Sequence, residues 1–336
     1  MKKQYAAIDI AKYISAILVV CIHTYPFFEL SETFNLFWIQ TVCRMAVPFF
    51  FVCSGFFFFS KEFSDREASL EHLIRYERRL LKIYAIWTII YLPYTIYDYA
   101  HAGFRFYHIF SYVRDLLFNG SYYHLWFLPA LMLATALVWW LLERFDTKRM
   151  MQVVGALYII GYLINVYTPI WESLPGISLL FGFFTKLLVT SRNGIFFAPI
   201  FVAMGHLLAH MKRLPQKNSG IAWLVSFVLL VGEVSLYHAL GLLRDLTSMY
   251  LMIVPVAYFM TQFLLASKRY YKPSYLNLRH ESLLIYTSHI LFAKIWLALL
   301  PDAHLAVFFL TMACSQALAS SILKYREQYP ILEHLL

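Results

Sequence analysis

The sequence predicts an all-α membrane protein of about ten transmembrane helices. Three observations carry this. Of its 336 residues, 61% are hydrophobic and only 14% charged, whereas a soluble chain of this length carries roughly 25% charged residues. The apolar residues gather in runs close to the roughly 20 residues that cross a bilayer. Many Tyr and Trp residues, part of an aromatic fraction of 19%, fall near the ends of those runs, where interfacial anchors sit.

Taken in order, the runs place spans near 8–27, 36–60, 83–101, 122–142, 151–168, 194–210, 221–239, 248–266, 281–299 and 303–322. Several contain Gly or Pro, which membrane helices tolerate when neighbours satisfy the backbone. The stretch 174–190 (LPGISLLFGFFTKLLVT) reads as an interfacial or a re-entrant helix. No connection is long enough for a second domain, so the expectation is a single domain over residues 1–336.

Orientation follows from Lys and Arg, which favour cytoplasmic connections. With the N-terminus inside, the inner segments (the N-terminus, 61–82, 143–150, 211–220, 267–280 and the C-terminus) hold 20 of these residues, Lys2 and Lys3 among them. The opposite connections hold 5: Arg105, Arg114, Lys186, Arg192 and Arg244. An even number of spans then puts both termini in the cytoplasm.

The net charge of +9 does not point to nucleic acid, because the basic residues lie in short connections between apolar runs. That is the pattern of topology signals and of contacts with anionic lipid. Cys21, Cys43, Cys53 and Cys314 all fall inside apolar runs without Cys-x-x-Cys spacing. They read as free buried thiols, with no disulfide framework and no metal site. Met1-Lys2-Lys3 precedes the first run without a small-residue cleavage site, which reads as a retained helix and not a signal peptide.

Ionisable groups inside a span cost about 2.5–3.5 kcal/mol even on the lenient insertion scale, so each calls for an explanation. The first span, IDIAKYISAILVVCIHTYPF, carries Asp9, Lys12 and His23. Eleven residues make about three turns, so Lys12 and His23 share a face, separated by about 16 Å along the axis. Lys12 either snorkels to the cytoplasm or faces a site. His23 lies deeper, as a structural hydrogen-bonded imidazole or as a base for work near neutral pH. Arg44, in VCRMAVPFFFVCSGFFF, lies at comparable depth and needs an acceptor or a watered cavity. Pro48 and Ser54-Gly55 mark a kink and close packing.

His124 and Trp126 (HLWFLPAL), Arg192 and Asn193 (SRNGIFF), Glu233 and His289 (SLLIYTSHI) also fall in or beside apolar runs. Singly each reads as a structural pair; together they predict one polar cavity in the outer half of the bundle. In RYERRLLKIY, Arg75, Arg78, Arg79 and Lys82 have the spacing of one helix side. They serve as an inside-positive signal or as a phosphate-binding patch.

These residues resemble the acyltransferase-3 family of integral-membrane acyltransferases. The resemblance rests on the basic residue and His of the first span, Lys12 and His23, where the family has Arg at the first position. It extends to RMAVPFFFVCSGFFF, to Arg78-Arg79-Leu-Leu-Lys82, to HLWFL, to RNGIFFAPIFVAMG and to SLLIYTSHI, across essentially the whole chain. Lys keeps the charge of Arg but not its bidentate fork. The resemblance implies a ten-helix bundle in a bacterial plasma membrane. Its implied donor is cytoplasmic acyl-CoA, commonly acetyl-CoA, and its implied acceptor a hydroxyl, usually on a cell-surface glycan.

On this reading the catalytic set is His23, Arg44 and Glu233. His23 is general base or acyl carrier, Arg44 stabilises the oxyanion or orients the acceptor, and Glu233 or Asp9 orients the imidazole. Lys12, Arg78, Arg79 and Lys82 hold the CoA nucleotide; His124, Trp126, Arg192 and His289 bind substrate. Membrane lipid, acyl-CoA and a glycan or other hydroxyl acceptor are the expected partners, with homo-oligomers admitted and no metal. The rival expectation is a transporter-like module, as suggested for the membrane half of bacterial serine racemases, in which the cavity moves an amino acid without chemistry. A soluble racemase domain would follow the last helix. The sequence ends at Leu336, so the expectation is a free-standing acyltransferase.

Overall fold

The computed structural model describes residues 4–244 and 247–336; Lys2 and Lys3 of the charge count lie outside the described residues. In chain order the helices are α1 (Ala6–Thr24), α2 (Glu32–Thr41), α3 (Ala46–Phe59), α4 (Arg66–His101), α5 (Tyr107–Phe118), α6 (Phe127–Leu142) and α7 (Thr147–Val166). There follow α8 (Thr168–Ser173), α9 (Ile177–Leu188), α10 (Ala198–His210), α11 (Gln216–Ala239), α12 (Ile253–Leu265), α13 (Ser274–Leu299) and α14 (His304–Tyr325). No strand occurs among the described residues.

Among the described residues, eight segments are long and apolar enough to cross a membrane: α1, α2 with α3, α4, Tyr123–Leu142, α7, α11, α13 and α14. The chain is therefore an all-α, multi-pass membrane protein. The other two expected spans, 194–210 and 248–266, appear as the 13-residue helices α10 and α12. Proline accounts for the shortening. Pro199 and Pro255 sit in the first turns of α10 and α12, where a missing N–H costs nothing. The same missing N–H denies a helical partner to the carbonyls four residues upstream, so neither helix extends backwards. The irregular stretches before them are largely buried, Ser191 and Asn193 in one and Thr247 to Tyr250 in the other. Non-helical backbone is tolerated at membrane depth only where protein surrounds it or a cavity is lined by it.

Pro48 acts in the same way within the second span. It cannot bond the carbonyl of Arg44, and the chain makes a 3₁₀ turn over Cys43–Met45 between α2 and α3. Other helix starts are capped. Ser31 accepts from the Phe34 amide at 3.2 Å, Asp65 from Ala68 at 2.8 Å and Asp146 from Arg149 at 2.7 Å, each satisfying an N–H that the first turn leaves open. At its far end α1 stops at Tyr25, in the left-handed region with φ 51°, and Pro26 follows.

The chain packs as two compact units. The first comprises residues 1–53, 210–241 and 250–336. Its centre is α1 against α13 and α14, with α11 against α12. Two polar ties join α1 to α13, Asp9 with Arg279 and His23 with His289, so these helices run in the same direction. The second unit comprises residues 54–209 and 242–249. There α4 and α7 pack on α6. Gly55 lets α3 touch the backbone of α10; an added Cβ would stand 2.3 Å from the Val202 carbonyl oxygen.

Candidate active site and cavity

In the first unit, His23 lies in the last turn of α1, half-buried. Its ring centre is 5.2 Å from that of His289, with 35° between the planes. His289 is fully buried. Its Nδ1 lies 2.8 Å from the Tyr286 carbonyl oxygen and 3.1 Å from that of Ile285. Only a donor satisfies a carbonyl, so Nδ1 carries the proton and Nε2 is left as the basic nitrogen. The backbone thus fixes the tautomer of His289, and the two rings are not equivalent.

Arg44 sits in the 3₁₀ turn and donates from Nε to Gln40 Oε1 at 2.8 Å. The same oxygen accepts from the Tyr250 hydroxyl at 3.0 Å. Gln40 is fully buried, and its amide oxygen is a neutral acceptor for the Arg44 guanidinium. Lys12 lies on α1, half-buried.

The carboxylates offered as partners for the imidazole are engaged elsewhere. Asp9, fully buried, accepts from Arg279 at 2.8 and 2.9 Å and from the Tyr271 hydroxyl at 3.2 Å. Glu233 accepts from the amides of Leu251 and Met252, both at 2.8 Å, and from the Tyr237 hydroxyl at 2.8 Å. These two amides lie just ahead of the first turn of α12. The geometry thus gives Glu233 the work of a cap for a helix that begins without one of its own.

In the second unit, Arg75, Arg78, Arg79 and Lys82 lie exposed on α4. His124 is 2% exposed and packs edge-on against Tyr91, with 4.7 Å between ring centres. Trp126 and Arg192 meet: the guanidinium carbon stands 4.8 Å above the indole, a cation–π contact. Both line a cavity of about 540 Å³, within the range of small-molecule sites.

The cavity is walled by the last turns of α4 and α7, by α5, α8 and α9, by residues 119–123, Trp126 and 189–192, and by Arg244 and Thr247. Sequence reasoning singled out only Trp126 and Arg192 here. Asp98, Tyr99, Tyr112, Asp115, Asn119, Asn165, Glu172, Phe181, Phe184 and Arg244 also line it. Tyr84 fixes the floor by donating to the Leu116 carbonyl at 2.9 Å and accepting from the Ser121 amide at 2.7 Å. Gly120 is required there. Its φ is 87°, and a Cβ would stand 2.4 Å from the Trp126 nitrogen.

Most charge at the wall is matched in place. Arg114 meets Asp115 at 3.0 and 3.1 Å and also donates to the Lys186 carbonyl at 2.7 Å. Arg244 lies 3.6 Å from Glu172. Tyr122 donates to Asp98 at 3.1 Å. Burial, then the carboxylate of Asp98, pushes this phenol up, so it stays protonated and a donor.

Residues 5–326 match the model of a family described as an acyltransferase domain. The chain belongs to the acyltransferase-3 family. It therefore carries an acyltransferase domain built into the membrane. An amino-acid racemase of Enterococcus faecalis is 31% identical over 254 residues, which is 75% of this chain and 35% of that protein. A serine/alanine racemase of Enterococcus gallinarum is 30% identical over 255 residues, 75% of this chain and 36% of the relative. The matched part thus spans about a third of the length of these curated relatives. No solved structure matches the chain significantly.

Proposed function

We propose that this acyltransferase moves an acyl group, acetyl in the first instance, from cytoplasmic acyl-CoA to a hydroxyl of a cell-surface glycan in a bacterial plasma membrane. The observation that carries the reading is the pairing of His23 with His289, whose tautomer is set by backbone carbonyls. Sequence charge bias supports the orientation. It assigns the connections that wall the second unit's cavity to the face opposite the cytoplasm.

In the proposed step, His23 takes the proton of the acceptor hydroxyl as its oxygen attacks the thioester carbonyl carbon. Arg44, held by Gln40, balances the negative charge that grows on the carbonyl oxygen. The C–S bond then breaks. The sulfur leaves with the proton from His23, giving an ester and free CoA thiol. Lys12, toward the other end of α1, and the exposed Arg78, Arg79 and Lys82 of α4 are proposed for the donor's phosphates. Trp126 and Arg192 are assigned to the acceptor. His124, buried against Tyr91, supports that wall, and His289 serves beside His23. Glu233 is assigned to positioning.

The test is acetyl-CoA thioester cleavage by the protein in liposomes, native against His23→Ala. A native protein that neither binds nor cleaves acyl-CoA overturns the enzyme reading; full turnover by His23→Ala overturns the assignment of the base. A second reading, an amino-acid-handling membrane module, draws support from relatives named as amino-acid racemases. Uptake of labelled serine into proteoliposomes lacking CoA is the result that would favour it.

A further inference from the structure

We infer that the cavity of the second unit is entered sideways from the bilayer, between α5 and α9, by a membrane amphiphile whose hydrocarbon tail lies along α9. Both helices have 12 residues. That is a rise of about 18 Å, too short for a hydrocarbon core of about 30 Å. Every residue of both stays at least partly exposed. On α5 the exposed stripe is Phe110, Val113 and Leu117, with Phe110 at 78%. On α9 it is Leu180, Phe183 and Leu187, with Leu180 at 73%. Short helices with one strongly apolar side lie in the interfacial layer of a membrane, that side toward the acyl chains. Under the orientation proposed above, this is the leaflet opposite the cytoplasm.

The other side of each helix lines the cavity, Tyr112 and Asp115 from α5 and Phe181, Phe184 and Thr185 from α9. The cavity is therefore two-sided. Its α9 wall is mainly aromatic hydrocarbon. The remaining walls carry Asp98, Asn165 and Arg192, beside the ion pairs of Arg114 with Asp115 and Arg244 with Glu172. An amphiphile matches both sides at once. Its tail meets Phe181 and Phe184, and its polar head meets the charged walls. A wholly polar ligand leaves the α9 wall unmatched, and a bare hydrocarbon strands the charges.

The seam between the two helices is closed by a bond that can open without unpacking a core. Arg114 donates from α5 to the Lys186 carbonyl, near the end of α9, at 2.7 Å and in an exposed position. The chain bends sharply at both ends of α9, at Gly176 with φ 84° and at Val189 with φ 61°. Release of the Arg114 bond frees the Lys186 end of this rod to move outward into lipid. Use of the entering amphiphile as acyl acceptor rests on the function proposed above; entry itself does not.

The experiment is photolabelling of the full chain in lipid nanodiscs that contain phosphatidylglycerol with a diazirine at the end of one acyl chain. Labelled residues are read by mass spectrometry of the digested protein. Leu180 and Phe183 should be labelled as lipid-facing positions. The cavity positions Phe181, Phe184 and buried Trp126 should be labelled as well. Val113→Cys with Leu187→Cys places two exposed thiols beside the Arg114 bond, and a bismaleimide then staples the seam. The same variant before bridging is the control and should label as native. After bridging, the label at the cavity positions should be lost while that at Leu180 and Phe183 is kept. No label at the cavity positions of the native protein, or a cavity label that survives the staple, overturns the inference. Acetyl-CoA cleavage in the same nanodiscs scores the enzyme reading separately, so either can fall while the other stands.

Discussion

The imidazoles of His23 and His289 stand 5.2 Å apart at their centres, on two neighbouring helices of one unit. The two rings are not equivalent, because His289 gives its Nδ1 proton to backbone. His23→Ala should therefore lower acyl transfer by about 10²- to 10⁴-fold, the usual worth of a positioned base. His289→Ala should lower kcat by less and leave the KM for acyl-CoA unchanged. Initial rates of thioester cleavage decide it; equal losses in both variants would show two bases, not one.

Arg44 depends on Gln40, whose oxygen it shares with Tyr250. Gln40→Leu removes that acceptor and should lower kcat about tenfold with KM nearly kept, since an oxyanion contact matters in the transition state. Gln40→Glu keeps an acceptor but pairs the guanidinium with a full negative charge, so it should recover little of the loss. Native-like kcat in Gln40→Glu in the same assay would show that a neutral acceptor at position 40 is immaterial to Arg44.

The tie between Asp9 and Arg279 is a matter of stability. Arg279→Ala strands a fully buried carboxylate and should cost about 3–5 kcal/mol. Tyr271→Phe removes one hydrogen bond to the same carboxylate and should cost about 1 kcal/mol. Unfolding midpoints in detergent should fall in that order, and the reverse order would place the anchor elsewhere.

Glu233→Gln tests the reassignment of a residue that sequence reasoning put in the catalytic set. Its carboxylate holds two amides and a phenol, and a charged acceptor is worth about 1.5–3 kcal/mol per bond. The midpoint should drop while kcat per folded molecule stays close to native. A kcat loss as large as that of His23→Ala would return Glu233 to the chemistry.

Val189 has φ 61° and ψ −50°, and the Thr190 amide bonds back to the Leu188 carbonyl at 2.6 Å. This is the strained form of the γ-turn, here on a β-branched residue beside the cavity, at a cost of about 1–3 kcal/mol. Val189→Gly should raise the midpoint by the equivalent of about 1 kcal/mol, after the loss from chain flexibility. A lowered midpoint would show that the side chain contributes more than the turn costs.

Much of this was legible beforehand, for definite reasons. Apolar length alone locates the eight long spans, and the spacing of Lys12 and His23 along α1 follows from helical pitch. Hydropathy counts apolar residues whether or not their backbone is helical, so it could not see that Ser191–Phe197 and Thr247–Met252 run irregularly. Pro199 and Pro255 were the available signals. Glu233 announced itself as a costly charge, but an acidic side chain in an apolar run does not name its partner. The partners here are backbone amides, which every residue has. The sequence offers His289 as a substrate contact, and nothing in it joins the first helix to the thirteenth. The cavity was half seen: Trp126 and Arg192 lie in recognisable motifs, while Tyr112 and Asn119 sit in a connection that looks like any other.

The short helices α10 and α12 bear on how the protein is made. Thirteen residues rise about 20 Å, against a hydrocarbon core of about 30 Å. Neither can therefore be handed to the bilayer as an independent segment, with its irregular lead-in facing lipid. Each must wait until flanking helices are in place to shelter those open amides and carbonyls. Biogenesis of this chain is in consequence a collective event, in which α10 and α12 settle in the membrane only after the helices that flank them.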